Sequence, residues 1–524
     1  MITANRVWVS DQGDGTYKNP VLFADYSDPD AIRVGEDFYL VASSFCNIPG
    51  LPILHSKDLV NWRIINYAVK SLDFDYYAMP AHGKGIWAPS IRYHDSKFWI
   101  FYPTPDEGIF MTTATDPAGE WSPPVHMKKA RGWIDPCPFW DDDGKAYLIY
   151  AFAGSRTGFG SVLSLSEMKP DGTGLLDEGV YVFDGNEKQH PTIEGPKLYK
   201  RNGYYYIFAP AGGVPRGWQT VLRSKSIYGP YEDRIVLHQG STPVNGPHQG
   251  AYIELESGEG WFLHFQEKGA FGRILHLQPV KWVDDWPVMG IDPDGDGRGE
   301  PVEQWEKPRA GGTCPITEPD TGDAFRGGKL GLQWQWNANS KASWFSRAAK
   351  EEGIRLFPDS SSIKQRLCLC DYPALLLQKF PAPGFTACTK LNFYPEKTGD
   401  CAGLIILGGE YSALLLEKTD SGIALKQLKG SNLARQNKAS VEWIVSEIPV
   451  ADNSIYLKVT VDEEAVCRFG FSRDGRTYAD FGESLKATAG FWVGAKMGIF
   501  YKGSEGEGSG GYADFKWFRV EAGT

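Results

Sequence analysis

Three short stretches set a carboxylate beside a Pro or Gly just ahead of an apolar run: SDPD with Asp28, IDPC with Asp135 and IEGP with Glu194. Asp-Pro is common in turns, so any one of them alone reads as turn chemistry. Three in equivalent positions of a repeated pattern carry more weight. Two carboxyl groups in different protonation states can hydrolyse a glycosidic bond: one activates water while the other protonates the leaving oxygen. They stand roughly 6.5–9.5 Å apart when configuration inverts. A third acid nearby raises the pKa of the proton donor by like-charge repulsion.

These acids are far apart along the chain, so the fold must bring them together. RVGEDFYLVASS, IRYHDSKFWIFYP, FWDDDGKAYLIYAF, LYKRNGYYYIFAP and IELESGEGWFLHFQ are similar hairpin units, each a polar turn leading into an aromatic, alternating strand. HSKDLVNW, TATDPAGEW, LSEMKPDGTG and RSKSIYGPYE follow as outer-strand and turn elements. Five units about 45–60 residues apart predict a five-bladed β-propeller, with four-stranded blades around a central channel. A large sandwich is the alternative, but it does not require a repeated unit. The innermost strand of each blade lines the channel, so Asp28, Asp135 and Glu194 are expected at the mouths of the first, third and fourth blades. After KWVDDWPVMG the chain turns rich in Gly, Pro and Asp, as in a surface linker. We assign the propeller to residues 1–308 with a linker at about 285–325. Short alternating strands without the blade pattern predict a β-sandwich over 326–524.

Composition agrees with this all-β reading. A chain of 524 residues exceeds the size of one core, and 14% aromatic content with 18 Trp and 60 Gly favours turns and aromatic strands over long helices. The formal net charge is −11 and no Lys/Arg block could track a phosphate backbone, which argues against nucleic acid. A neutral sugar fits the charge balance better. The N-terminus has no apolar export segment and no stretch reaches the roughly 18 apolar residues of a membrane span. A cytoplasmic location is therefore expected, or a secreted one if an export signal has been removed. Eight cysteines without CxxC pairs read as reduced thiols.

The NPVL-to-SDPD opening, SSF, PGLPILHSKDLVNW, GIWAPSIRY, WIDPCPFWDDDGKAYLIY and IEGPKLYKRNGYYYIF together resemble glycoside hydrolase family 43. GLQWQWN and GYADFKWFRVE resemble the C-terminal sandwich, a jelly-roll of the concanavalin-like kind, of its β-xylosidase and α-L-arabinofuranosidase group. The resemblance implies that Asp28 is the general base, Asp135 the pKa modulator and orienter, and Glu194 the general acid. Asp30, where family members often carry Ser, is expected to be structural or a turn cap. Phe45 and Trp87 resemble an apolar wall and Arg273 a sugar-contacting arginine. Phe491 or Trp492 is expected to close the pocket from the sandwich domain, which would confine the enzyme to chain ends. The expected activity is inverting release of β-D-xylose or α-L-arabinofuranose from the non-reducing ends of small oligosaccharides, with no nucleic-acid or membrane partner and with self-association left open. A non-catalytic carbohydrate-binding protein, or an endo-acting or other-sugar member of the fold, are the alternatives.

Two stretches raise calcium. His248 in NGPHQGAY resembles the central-channel histidine of the family, which implies a calcium ion at the propeller centre; a histidine satisfied by hydrogen bonds is the alternative. DPDGDGRGEPVE places Asp292, Asp294, Asp296, Gly297 and Glu303 at the spacing of a calcium loop, but without flanking helices. A surface interdomain loop is the preferred reading there.

Overall fold

Runs of β-branched and aromatic residues are joined by two-residue turns that only the left-handed region can make. Asp95 and Ser96 (φ 49° and 56°) and Asn202 and Gly203 (φ 51° and 71°) both turn this way, matching the right-handed twist of the strands they join. The computed structural model describes residues 6–311, 314–348, 352–359, 367–504 and 509–523; residues 1–5 and 524 at the ends of the two assigned ranges lie outside these.

Five antiparallel four-stranded sheets form the propeller. Blade 1 runs Asp30–Val34, Asp37–Val41, Gly50–Ser56 and Trp62–Val69; blade 2 runs Ser90–His94, Lys97–Thr104, Gly108–Ala114 and Val125–Lys129. Blade 3 runs Trp133–Trp140, Ala146–Phe152, Val162–Met168 and Val180–Asp184. Blade 4 runs Lys197–Arg201, Tyr204–Ala211, Trp218–Ser224 and Glu232–Leu237, and blade 5 His248–Glu254, Gly260–Glu267, Arg273–Val283 and Trp286–Met289.

The second strands of blades 2 to 5 are buried on both faces over most of their length, which explains their continuous apolar character. In Ala146–Phe152, Tyr147, Ile149 and Ala151 join Ile207 and Leu222 in the core against blade 4. The alternate residues Leu148, Tyr150 and Phe152 meet Trp99 and Phe101 of blade 2. Period two therefore divides the residues between two inter-blade cores. The ring is closed by the N-terminal segment: Leu22 and Leu275 exchange backbone hydrogen bonds, and Thr16–Lys18 pairs with Gln304–Glu306. The expected linker is thus partly a strand laced to the propeller. Lys307 adds ion pairs to Asp11 and Asp58.

The C-terminal unit is a sandwich. One sheet contains Leu375–Lys379, Lys496–Lys502, Cys401–Leu407, Glu410–Thr419, Gly422–Ser431 and Val441–Val450; the other is built on Tyr512–Ala522, Phe385–Tyr394, Ser454–Val461 and Val466–Ser472. Phe385–Tyr394 and Ser454–Val461 alternate buried and part-exposed residues, as strands with one face on a core should. The sandwich docks on the propeller through a mutual Ile48–Trp336 backbone pair, Phe271 against Phe380 and Gly494 N donating to Asp25. Among the described residues no helix is long and apolar enough to cross a membrane.

Candidate active site

Asp28, Asp135 and Glu194 line one cavity of about 680 Å³. Asp28 precedes the inner strand of blade 1 and Glu194 that of blade 4. Asp135 lies inside the inner strand of blade 3 rather than ahead of it, where the register slips between Ile134 and Cys137. Such a bulge re-aims a side chain. A second slip, between His248 and Gly250, does the same for Gln249 on blade 5. The non-glycine residues Asp28, Phe45, Asp135, Ser161, Thr192, Gln249 and Trp492 all line this cavity with positive φ. Backbone held in this costly region at one place is characteristic of sites where side-chain direction matters more than local stability.

The acids have different surroundings. Asp28 accepts from Arg273 Nη1 at 2.7 Å and from Ser43 Oγ at 2.6 Å, one bond to each carboxylate oxygen. Asp135 accepts from Gly195 N at 2.7 Å, so it grips the backbone next to Glu194. Gly195 has φ +60°, and a Cβ there would meet Gln249 at 2.7 Å, so only glycine allows this approach. Burial pushes the Asp135 carboxyl upward, and the Asp28 charge adds to it. Glu194 is raised well above the usual carboxylate range by burial first, then by the Asp135 and Asp28 charges. About 33% of its side chain remains open, whereas Asp28 is 10% exposed, so Glu194 faces the mouth.

Arg273 closes the floor: it is 8% exposed and its guanidinium lies 4.9 Å from the Phe265 ring. Phe45 and Trp87 line the wall. Trp492 lines the mouth, its ring edge-on to Trp87 at 6.4 Å. Phe491, the other aromatic expected there, is outside the cavity lining. It packs over Gly83, where an added Cβ would meet its ring at 2.6 Å. Asp30 is fully buried, accepting from Ile91 N and Arg92 Nη1, and ties blade 1 to blade 2. Gln249, Thr192, Ile134 and Arg435 also line the cavity. Gln249 had one sequence clue, its place beside His248; Arg435, on a sandwich loop, had none.

Among the described residues the His, Cys, Asp and Glu side chains offer calcium few ligands. Among the described residues neither ring nitrogen of His248 has a hydrogen-bond partner, and its ion-pair neighbour Glu194 lies 3.9 Å from Nε2. Burial and the Arg273 charge lower its pKa to about 3, so the ring is neutral. Calcium takes about 6–8 oxygens, and among the described residues no group of three or more His, Cys, Asp or Glu side chains could hold a metal ion. In the Asp292–Glu303 stretch Asp292 accepts from Gly295 N and Gly297 N, and Asp296 from Arg298 N.

The family model "Glycosyl hydrolases family 43" matches residues 17–287, the five blades almost entire. The chain belongs to glycoside hydrolase family 43. A second model, the β-xylosidase C-terminal concanavalin A-like domain, matches residues 322–521. A protein of Xylanibacter ruminicola that carries a β-xylosidase name is 41% identical over 93% of this chain and 86% of its own. A non-reducing end α-L-arabinofuranosidase of Bacteroides ovatus is 30% identical, covering 96% of this chain and 94% of its own. The solved xylan β-1,4-xylosidase of Bacillus halodurans superposes with a TM-score of 0.82 at 25% identity, over 96% of this chain and 99% of that one. This family 43 chain is accordingly a glycoside hydrolase acting on a carbohydrate.

Proposed function

We propose that this hydrolase is an inverting exo-glycosidase that removes a terminal β-D-xylose or α-L-arabinofuranose from xylo- or arabino-oligosaccharides. The observation that carries the proposal is the contrast between two acids in one cavity. Asp28 is an acceptor fixed by a guanidinium and a hydroxyl; Glu194 sits where burial and two neighbouring carboxylates favour its protonated form. An acid fixed by two donors is placed to receive a proton, and one whose pKa is raised is placed to give one.

In this mechanism the terminal sugar enters until its ring meets the floor. Arg273, an always-charged donor, serves ring hydroxyls and Asp28 together. Asp28 takes a proton from water attacking the anomeric carbon from below. Glu194, facing the mouth, gives its proton to the departing oxygen as the bond breaks. Asp135 acts through others, holding Gly195 and so the backbone that aims Glu194, while its charge raises the pKa of Glu194. Trp87 and Trp492 narrow the mouth, which favours chain ends. No step runs through calcium.

The relatives named for β-xylosidase and for α-L-arabinofuranosidase support the two sugars. Proton NMR during hydrolysis of a short β-xylo-oligosaccharide tests the proposal. Early release of α-xylose, one unit at a time, is expected. Early β-xylose would overturn inversion, and internal fragments as first products would overturn the exo assignment.

A further inference from the structure

Two arginines line the cavity, and they come from different domains in different states. Arg273 is buried on the floor and bonded to Asp28. Arg435 lies on the sandwich loop between Gly422–Ser431 and Val441–Val450, exposed, with no ion pair to an acid among the described residues. Its guanidinium lies 5.2 Å from the ring of Trp492. Arg156, near Trp87 on the propeller side, is by contrast paired with Asp106.

Exposure orders the cavity by depth. Of the three acids Asp135 and Asp28 are the more buried, the Glu194 side chain is one-third open, and Trp492 with Arg435 forms the exposed rim. If the bond breaks at the level of Glu194, the sugar below it is the one released and the group above it is the leaving group. That group must pass between Trp87, Trp492 and Arg435. Trp492 holds φ 67°, an outlier for a bulky residue, and so presents its ring at this level at a cost in backbone strain.

The loop carrying Arg435 is anchored rather than free. Asn432 N donates to Gly409 O, Ala434 N donates to the Asn432 side chain, and the Asn432 amide lies within hydrogen-bond reach of His82 on the propeller. His82 in turn pairs with Asp371 of the sandwich at 3.2 Å. A guanidinium has five N–H donors and no acceptor, while each sugar hydroxyl can accept. We propose that Arg435 is the specificity-determining residue of the leaving-group side, holding the departing sugar by its hydroxyls against Trp492. The sandwich domain thereby selects oligosaccharides over simple glycosides. The inference rests on the exo-glycosidase reading above.

The test compares Arg435→Met and Arg435→Lys with the wild type on two substrates of one glycone: an unsubstituted β-1,4-xylobiose and 4-nitrophenyl β-D-xylopyranoside. The aryl ring has no hydroxyls and needs only the aromatic wall. Loss of a charged hydrogen bond predicts about a tenfold to hundredfold fall in kcat/KM on xylobiose for Arg435→Met. The fall on the aryl glycoside should be under about threefold, and Arg435→Lys should recover part of the loss on xylobiose. Equal losses on both substrates would reduce Arg435 to a structural residue, and no loss on either would remove it from the site; each overturns the inference. Wild-type inactivity on both substrates and on their arabinofuranoside counterparts would instead overturn the exo-glycosidase reading, and this inference with it.

Discussion

Arg273 and Asp28 bond at 2.7 Å with both side chains about 10% exposed. The proposed mechanism gives Arg273 two separable duties: touching substrate and neutralising the base. Charges about 4 Å apart attract by about 4 kcal/mol at an effective dielectric constant near 20. Removing one member of a buried pair leaves an uncompensated charge and costs about 3–5 kcal/mol. Arg273→Met should therefore destabilise the protein by about that much. In an Asp28→Asn background no carboxylate is left stranded, and the same substitution should cost about 1 kcal/mol or less. The difference, a coupling energy of about 2–4 kcal/mol, is measurable as a double-mutant cycle from urea unfolding at pH 7. All three variants should lose activity, since the base or its partner is gone in each. An Arg273→Met cost that is the same in both backgrounds would refute the pairing argument, and with it the claim that Arg273 holds Asp28 in place.

Other outcomes follow from the same geometry. Glu194→Gln should lose about 10²–10⁴ in kcat/KM on oligosaccharides but far less on activated aryl glycosides, because only poor leaving groups need the proton. Because the pKa of Glu194 is raised, wild-type activity on oligosaccharides should fall on the alkaline side as Glu194 ionises, and this limb should vanish in the variant. His264 is buried with its pKa lowered by burial to about 4. An unfolded histidine gains its proton near pH 6.5, so this residue's contribution is present above that pH and is lost as pH falls toward 4, by about 1.4 kcal/mol per unit. His264→Gln should accordingly flatten the acid side of the stability profile by up to that slope; an unchanged slope would contradict neutral burial. Exhaustive chelation should leave kcat/KM and Tm unchanged, and a fall in Tm reversed by added calcium would show that a calcium site exists.

The propeller was legible because its blades repeat both turn chemistry and doubly buried apolar strands, two features that local sequence expresses. The acids were legible because each sits at the entry to, or in the first turn of, an inner strand, beside Pro or Gly. Asp135 differed in detail: its bulge inside the strand depends on pairing with Ala146–Phe152, which a Pro at position 136 only hints at. The choice between Phe491 and Trp492 depends on Gly83, about 400 residues earlier and in the other domain, so adjacency in AGFWVGA could not decide it. Arg435 is a single charge on a polar loop, and only the docking of the two domains brings it to the mouth. The acid-rich stretch from Asp292 has the composition of a metal loop, yet Asp292 and Asp296 cap backbone amides of that same loop.

The central claim is that one cavity, with Asp28 as base and Glu194 as acid, releases terminal pentoses. Side-by-side kcat/KM values on aryl β-D-xylopyranoside and aryl α-L-arabinofuranoside, from one preparation of wild type and Asp28→Asn, test it most directly. The account predicts hydrolysis of at least one substrate by the wild type and loss of about a thousandfold or more in the variant, as expected when a group essential to the chemical step is removed. Wild-type inactivity on both substrates, or an Asp28→Asn variant that retains full activity, would contradict it.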